Sequence, residues 1–193
     1  ITYLLYFFTF WMVLAYLPLL LKSYHFTDRQ IGFAIGLNSL ASLILVLPFG
    51  VFSDYFSPKR TLVLGTIFYS AYFLLLVLLR DFPAICFALL LGGVGAATIR
   101  VVLMSLYLKL IGPTKRGKKV AFIHMGAYVG FALGPLVGGQ CYDIFGPQNM
   151  INLAFVLSTA IVLSAFFLKD ASPVVFSFKD YNKDVKNPQA LLL

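Results

Sequence analysis

The chain has 193 residues, of which 61% are hydrophobic and only 11% charged, and its mean hydropathy is +0.92. A soluble domain carries roughly 25% charged residues, so a water-facing surface cannot be built from this composition and lipid is the solvent for most of the chain. Disordered, collagen-like and disulfide-scaffold classes are excluded at the same step. The formal charge of +8 does not point to nucleic acid, because Lys and Arg fall in short clusters between apolar runs and not along one basic face.

About 20 apolar residues are needed to cross the hydrocarbon core as a helix. Six such stretches follow one another: Ile1 to Leu21, Gln30 to Phe52, Thr61 to Leu79, Pro83 to Leu108, Val120 to Tyr142 and Met150 to Leu168. The gaps hold charges or turn residues, as in Ser57-Pro58-Lys59-Arg60 and Gly112-Pro113-Thr114-Lys115-Arg116-Gly117. Backbone groups in lipid must be satisfied internally and period-two alternation is absent, so the spans are helices and not barrel strands. Eleven of the 15 Lys and Arg lie on one side of this topology, in the 2–3 and 4–5 gaps and in the tail. Lys22, Arg29 and Arg80 lie on the other, and Arg100 lies inside the fourth span. Positive charge is retained on the cytoplasmic side, which predicts a cytoplasmic N-terminus in a bacterial inner membrane or another plasma membrane.

The sequence starts inside an apolar run without Met, and its polar tail ends on a new apolar run, Ala190-Leu191-Leu192-Leu193. These features suggest a piece of a longer chain. The expected organisation is a first three-helix unit over 1–79, a second over 83–168, and a cytoplasmic linker over 169–193 leading to a further half.

The two units are related by an internal repeat. Gly50-x-x-x-Asp54-x-Phe56-Ser57-Pro58 near the end of the second span matches Gly139-x-x-x-Asp143-x-Phe145-Gly146-Pro147 near the end of the fifth, at an offset of 89 residues. The same offset carries the first span onto the fourth and the third onto the sixth. Three is an odd number of crossings, so the second unit sits inverted. Lys59-Arg60 against Gln148-Asn149 is the difference that opposite membrane faces select. The predicted fold is an all-α integral membrane protein of six transmembrane helices in two inverted three-helix repeats.

Inverted triplets within a six-helix half resemble the major facilitator superfamily. Gly50-x-x-x-Asp54-x-x-x-x-Lys59-Arg60 is similar to that family's motif A, and Gly130-x-x-x-Gly134-Pro135-x-x-Gly138-Gly139 to its motif C, frequent among exporters and antiporters. Tyr55, Ser57 and Pro58 depart from motif A, and the usual Arg ahead of the fourth-span glycines is absent, Arg100 following them instead. The resemblance implies the amino-terminal half of a secondary transporter, with a substrate site near mid-membrane between this half and a carboxy-terminal half or second copy. It also implies that Asp54, with Lys59 and Arg60, closes the cytoplasmic side in one state. Solvated loop charges are the plainer alternative.

Gly126, Gly130, Gly134 and Gly138 recur every four residues, which makes one stripe where another helix approaches closely; Pro135 removes a helical hydrogen bond and permits a bend. Arg100 lies about two turns inside its span, where a charge costs from about 2.5 kcal/mol upward. It is expected to face a water-filled path, or to pair with an acid of the other half. The 89-residue offset relates it to Trp11, and the two are expected to line that path, with Tyr6, Asn38 and Ser42 as further substrate contacts. A guanidinium beside an aromatic plate suits a carboxylate or phosphate on an apolar body. His124 is a candidate proton carrier or a structural hydrogen-bonding residue. Glu is absent and every Asp lies at a loop or helix end, so this part offers no mid-membrane carboxylate. Cys86 and Cys141 are a possible pair or small apolar fillers.

The reading is a secondary transporter using alternating access, with a small organic or amphipathic anion as substrate. A multidrug exporter of the same fold and a non-transporting six-span scaffold are the alternatives. An intramembrane enzyme is disfavoured, because no nucleophile–base pair or metal-ligand motif occurs at depth. The expected partners are the bilayer and a small molecule; no cofactor, metal or nucleic acid is expected.

Overall fold

A computed structural model describes residues 2–55, 57–110 and 116–169, apart from the side chains of 54, 55 and 116. All regular structure among them is helical: α1 (Thr2–Leu14), α2 (Leu17–Ser23), α3 (Asp28–Tyr55), α4 (Pro58–Leu78), α5 (Phe82–Leu110) and α6 (Arg116–Phe166). α3, α4, α5 and α6 are each long and apolar enough to cross a membrane, and α1 with α2 makes a fifth such element if that bent pair is one span.

Local chemistry explains where the helices break. Pro18 stands in the first turn of α2, where its missing N–H costs nothing but ends the α1 ladder, and the two pieces meet at 46°. α3 starts on reciprocal hydrogen bonds: the Thr27 N–H donates to Gln30 Oε1 at 3.0 Å and the Gln30 N–H to Thr27 Oγ1 at 3.4 Å, a capping box. Ser57 caps α4, its Oγ accepting from the Arg60 N–H at 3.3 Å ahead of Pro58. The expected fifth and sixth spans run together in α6, interrupted at Gly146 with φ 83° and ψ 167°. That conformation is nearly closed to any residue with a Cβ.

Small residues bring the helices together. A Cβ on Gly95 would lie 2.6 Å from the Tyr69 nitrogen, so α5 rests on the α4 backbone there. α3 meets α5 at Gly93, where a Cβ would strike the Asn38 carbonyl oxygen and Ala41. Gly130, Gly134 and Gly138 of α6 face the α1 backbone from Phe7 to Met12, with added Cβ atoms 2.6 to 2.7 Å from it. The stripe therefore packs α6 on α1, but its first member, Gly126, takes no part: the nearest atom is Leu4 Cβ at 3.8 Å. Past Gly146, α6 reaches α4 through a Ser158–Ser70 hydroxyl contact at 3.2 Å and α1 through Thr2–Ser164 at 3.0 Å. Tyr6, Tyr69 and Phe73 are the bulkiest fully buried side chains. Cys86 and Cys141 are free thiols.

Candidate functional site

α1 is buried on one side through Tyr6, Thr9, Met12 and Val13 and half-exposed on the other through Tyr3, Phe7, Phe10, Trp11 and Leu14. Two concavities flank that half-exposed stripe. The first, of about 390 Å³, lies between α1, α3 and α5, with Phe10, Asn38, Ser39, Ser42 and Arg100 in its lining. The second, of about 340 Å³, lies between α1 and α6 and is lined by Tyr3, Phe7, Trp11, His124, Tyr128 and Phe131, with Ala127.

Arg100 is half-buried. Its Nε–H donates to the Ala96 carbonyl one turn back at 3.3 Å, which steadies the stem, and its guanidinium carbon stands 5.9 Å from the centre of the Phe10 ring. Among the described residues the one ion pair is Lys22–Asp28, exposed at 3.5 Å, so no described acid neutralises Arg100. A guanidinium donor facing a concavity under these conditions can take a carboxylate or phosphate in a fork of parallel hydrogen bonds.

Asn38 and Ser42 share this concavity, and each commits a donor to α5. The Asn38 amide donates to the Leu89 carbonyl at 2.8 Å and the Ser42 hydroxyl to the Gly93 carbonyl at 2.9 Å. Both tie α3 to α5, and Arg100 is the charged donor in the lining. Tyr6 is fully buried, its hydroxyl donating at 3.3 Å to the same Ala96 carbonyl that receives Arg100; it supports the site from beneath and does not line it.

Trp11 does not touch Arg100; the two line neighbouring concavities. Successive helical residues are about 100° apart, so Phe10 turns to the Arg100 side and Trp11 to the α6 side. There Trp11 meets Phe131 edge-on, with centroids 4.6 Å apart. Phe10 was missed in the sequence, although its place beside Trp11 on an aromatic stripe was a usable signal. His124 is half-buried beside Tyr3, the rings edge-on at 6.3 Å. On α3, Gly50 lies near Val101, the chain neighbour of Arg100, where a Cβ would make ordinary contact at 3.6 Å. Lys59 is half-exposed and Arg60 exposed in the first turn of α4, while the Asp54 side chain lies outside the described residues. Gly134 and Gly138 are buried and Pro135 and Gly139 half-buried.

The model of the Major Facilitator Superfamily matches residues 1–190. The chain belongs to the Major Facilitator Superfamily. Together with the apolar helices, this makes it an integral membrane protein. As a superfamily member it is similar to an uncharacterized MFS-type transporter of Methanocaldococcus jannaschii, with 28% identity over 167 residues, covering 86% of this chain and 42% of that one. It is also similar to multidrug resistance protein 2 of Bacillus subtilis, with 26% identity over 165 residues, covering 83% of this chain and 40% of the relative. Among solved structures, the human organic anion transporter MFSD10 matches with a TM-score of 0.73 at 21% identity, over 99% of this chain and 52% of that one. The chain thus spans less than half the length of these two sequence relatives.

Proposed function

We propose that the chain is the amino-terminal half of a secondary transporter that works by alternating access and carries a small organic or amphipathic anion. The single observation behind the substrate class is Arg100, a guanidinium within an apolar helix, open to a 390 Å³ concavity and without an ion-pair partner among the described residues. The organic anion named for the structural neighbour and the drugs implied by the bacterial relative's name are compatible with a site that joins one cation to apolar walls.

The architecture in this reading is two inverted triplets, over 1–79 and 83–168, with the N-terminus cytoplasmic and 169–193 leading towards a carboxy-terminal half or a second copy. The Gly146 break gives α6 two arms, 116–145 and 147–166, each long enough at 1.5 Å per residue to cross the roughly 30 Å core. Thr9 and Thr98, 89 residues apart, are both fully buried and both donate to the carbonyl four residues back, at 2.8 Å. The two concavities correspond at the same offset: Trp11 with Arg100, Tyr128 with Ser39, Phe131 with Ser42. This pairing supports the repeat and explains why Trp11 and Arg100 occupy equivalent places without touching.

Arg100→Gln in the full-length protein tests the substrate class. Hydrogen bonds to a charged group contribute about 1.5–3 kcal/mol, so anion binding weakens roughly 10- to 150-fold, and Arg100→Lys, which keeps charge but loses the planar fork, falls between. Unchanged binding of every anion tried, by a folded variant, removes the assignment. A second reading, export of apolar compounds, rests on the Gly130–Gly139 pattern and the aromatic concavity, and it requires that transport survive Arg100→Gln.

A further inference from the structure

The aromatic concavity beside α1 has no part in the anion reading, yet it is joined to the Arg100 site through Phe10. Phe10 forms the near wall of the cationic concavity, and its ring meets Trp11 edge-on with centroids 5.5 Å apart. Trp11 in turn meets Phe131 at 4.6 Å. A guanidinium and an aromatic basin thus lie on the two flanks of one half-exposed helical stripe, with no buried helix between them.

The lining of the second concavity carries no Asp, Glu, Lys or Arg. Its polar atoms are two tyrosine hydroxyls, an indole N–H and an imidazole, all at the ends or edges of flat rings. Such walls take a flat apolar body by stacked or edge-on contact. The ring faces also attract cations, but Arg100 on the neighbouring flank and the absence of any lining acid oppose a cationic guest. Resting on the transporter reading, we infer that the concavity around Trp11 is the second subsite of the same groove, and that it takes the aryl body of an anion whose carboxylate sits on Arg100. The selected substrate class is the aryl-alkanoates, with a chain between ring and charge that crosses the Phe10 edge. Trp11 is the specificity-determining residue in this arrangement, and Arg100 provides affinity for any carboxylate.

The test measures binding of three probes to the full-length protein: 4-phenylbutyrate, butyrate and 4-phenylbutyramide. The wild type is expected to bind phenylbutyrate tightest. Trp11→Ala weakens phenylbutyrate about five- to tenfold and changes butyrate less than about twofold, while Trp11→Phe, which keeps a ring, stays within about twofold for both. Arg100→Gln weakens both carboxylates and spares the amide. Trp11 is the one tryptophan in these 193 residues, so the difference in emission between wild type and Trp11→Phe reports directly on phenylbutyrate. If Arg100→Gln leaves both carboxylates unchanged, the organic-anion reading itself falls. If Arg100→Gln behaves as expected but Trp11→Ala weakens both carboxylates equally, or neither, the aryl subsite is overturned and the anion site stands. A wild type that binds butyrate as tightly as phenylbutyrate overturns it too.

Discussion

Gly134→Ala and Gly126→Ala add the same methyl to the same helix eight residues apart, and the structure assigns them opposite outcomes. At Gly134 the new Cβ would lie 2.7 Å from the Phe8 carbonyl oxygen and 2.9 Å from the Met12 nitrogen. Comfortable contacts are roughly 3.5–4.0 Å, and the obstructing atoms are backbone, so α6 must retreat from α1 by about 0.5–1 Å. Overpacking of this kind costs about 1–3 kcal/mol. At Gly126 the nearest atom is 3.8 Å away, so no such cost arises. The gain in helix propensity, about 1 kcal/mol from Gly to Ala, applies to both variants and cancels in their difference. Gly134→Ala is therefore less stable than Gly126→Ala by about 1–3 kcal/mol, a roughly 5- to 150-fold difference in the folded-to-unfolded ratio. Equilibrium unfolding of the two variants in mixed micelles, followed by circular dichroism, measures it. Because the Gly134 methyl would also stand 3.2 Å from Trp11 Cβ, Trp11 emission should shift in Gly134→Ala alone. Equal stabilities, or a Gly126→Ala variant that is the weaker, would refute the packing of α6 on α1.

Gly146→Ala meets no atom within 4 Å, yet it forces a Cβ residue into a region near φ 83°, ψ 167°, and is expected to cost about 1–3 kcal/mol in the same unfolding assay; a neutral result contradicts that break. The Arg80 guanidinium lies 4.3 Å from the Tyr24 ring centre and also donates to Gln148 Oε1, clipping three turns together, so Arg80→Ala should speed amide exchange near 24 and near 148, and unchanged exchange removes the clip. Burial holds the Tyr24 phenol above its ordinary value of 10.0 while Arg80 pulls it back; stability from this group is full below pH 10 and falls as pH rises through the raised value, and Arg80→Ala moves that value further up in a carbon-13 tyrosine titration. If Asp54 closes the cytoplasmic side, Asp54→Asn shifts cysteine-reagent accessibility towards one face, and an unaltered balance argues for a plain loop charge.

Several features follow from the sequence without any fold. Embedding in lipid rests on 61% hydrophobic and 11% charged residues, a property of composition. Helix ends at Ser57-Pro58 and Gly146-Pro147 were legible because a capping hydroxyl and a free φ act within one turn, whereas the break at Pro18 fell inside the expected first span, Ile1 to Leu21, which the structure divides into α1 and α2. The resemblance carried by Gly50–Arg60 and Gly130–Gly139 was likewise local text, and the family match over 1–190 agrees with it. Within α6, Gly146 alone departs from helical dihedrals, and it falls in the gap expected between the fifth and sixth spans.

Tertiary structure decided everything that depends on how a helix is rotated about its own axis. Four glycines in one register look equivalent in sequence, yet three meet α1 backbone and Gly126 does not, because crossing helices touch over a few turns only. Asn38 and Ser42 were marked by polarity and spacing, and the fold commits one Asn38 amide N–H and the Ser42 hydroxyl to the carbonyls of Leu89 and Gly93. Phe10 and Trp11 are neighbours in the chain, and it is the roughly 100° between them, read against the positions of α5 and α6, that gives one to Arg100 and the other to Phe131.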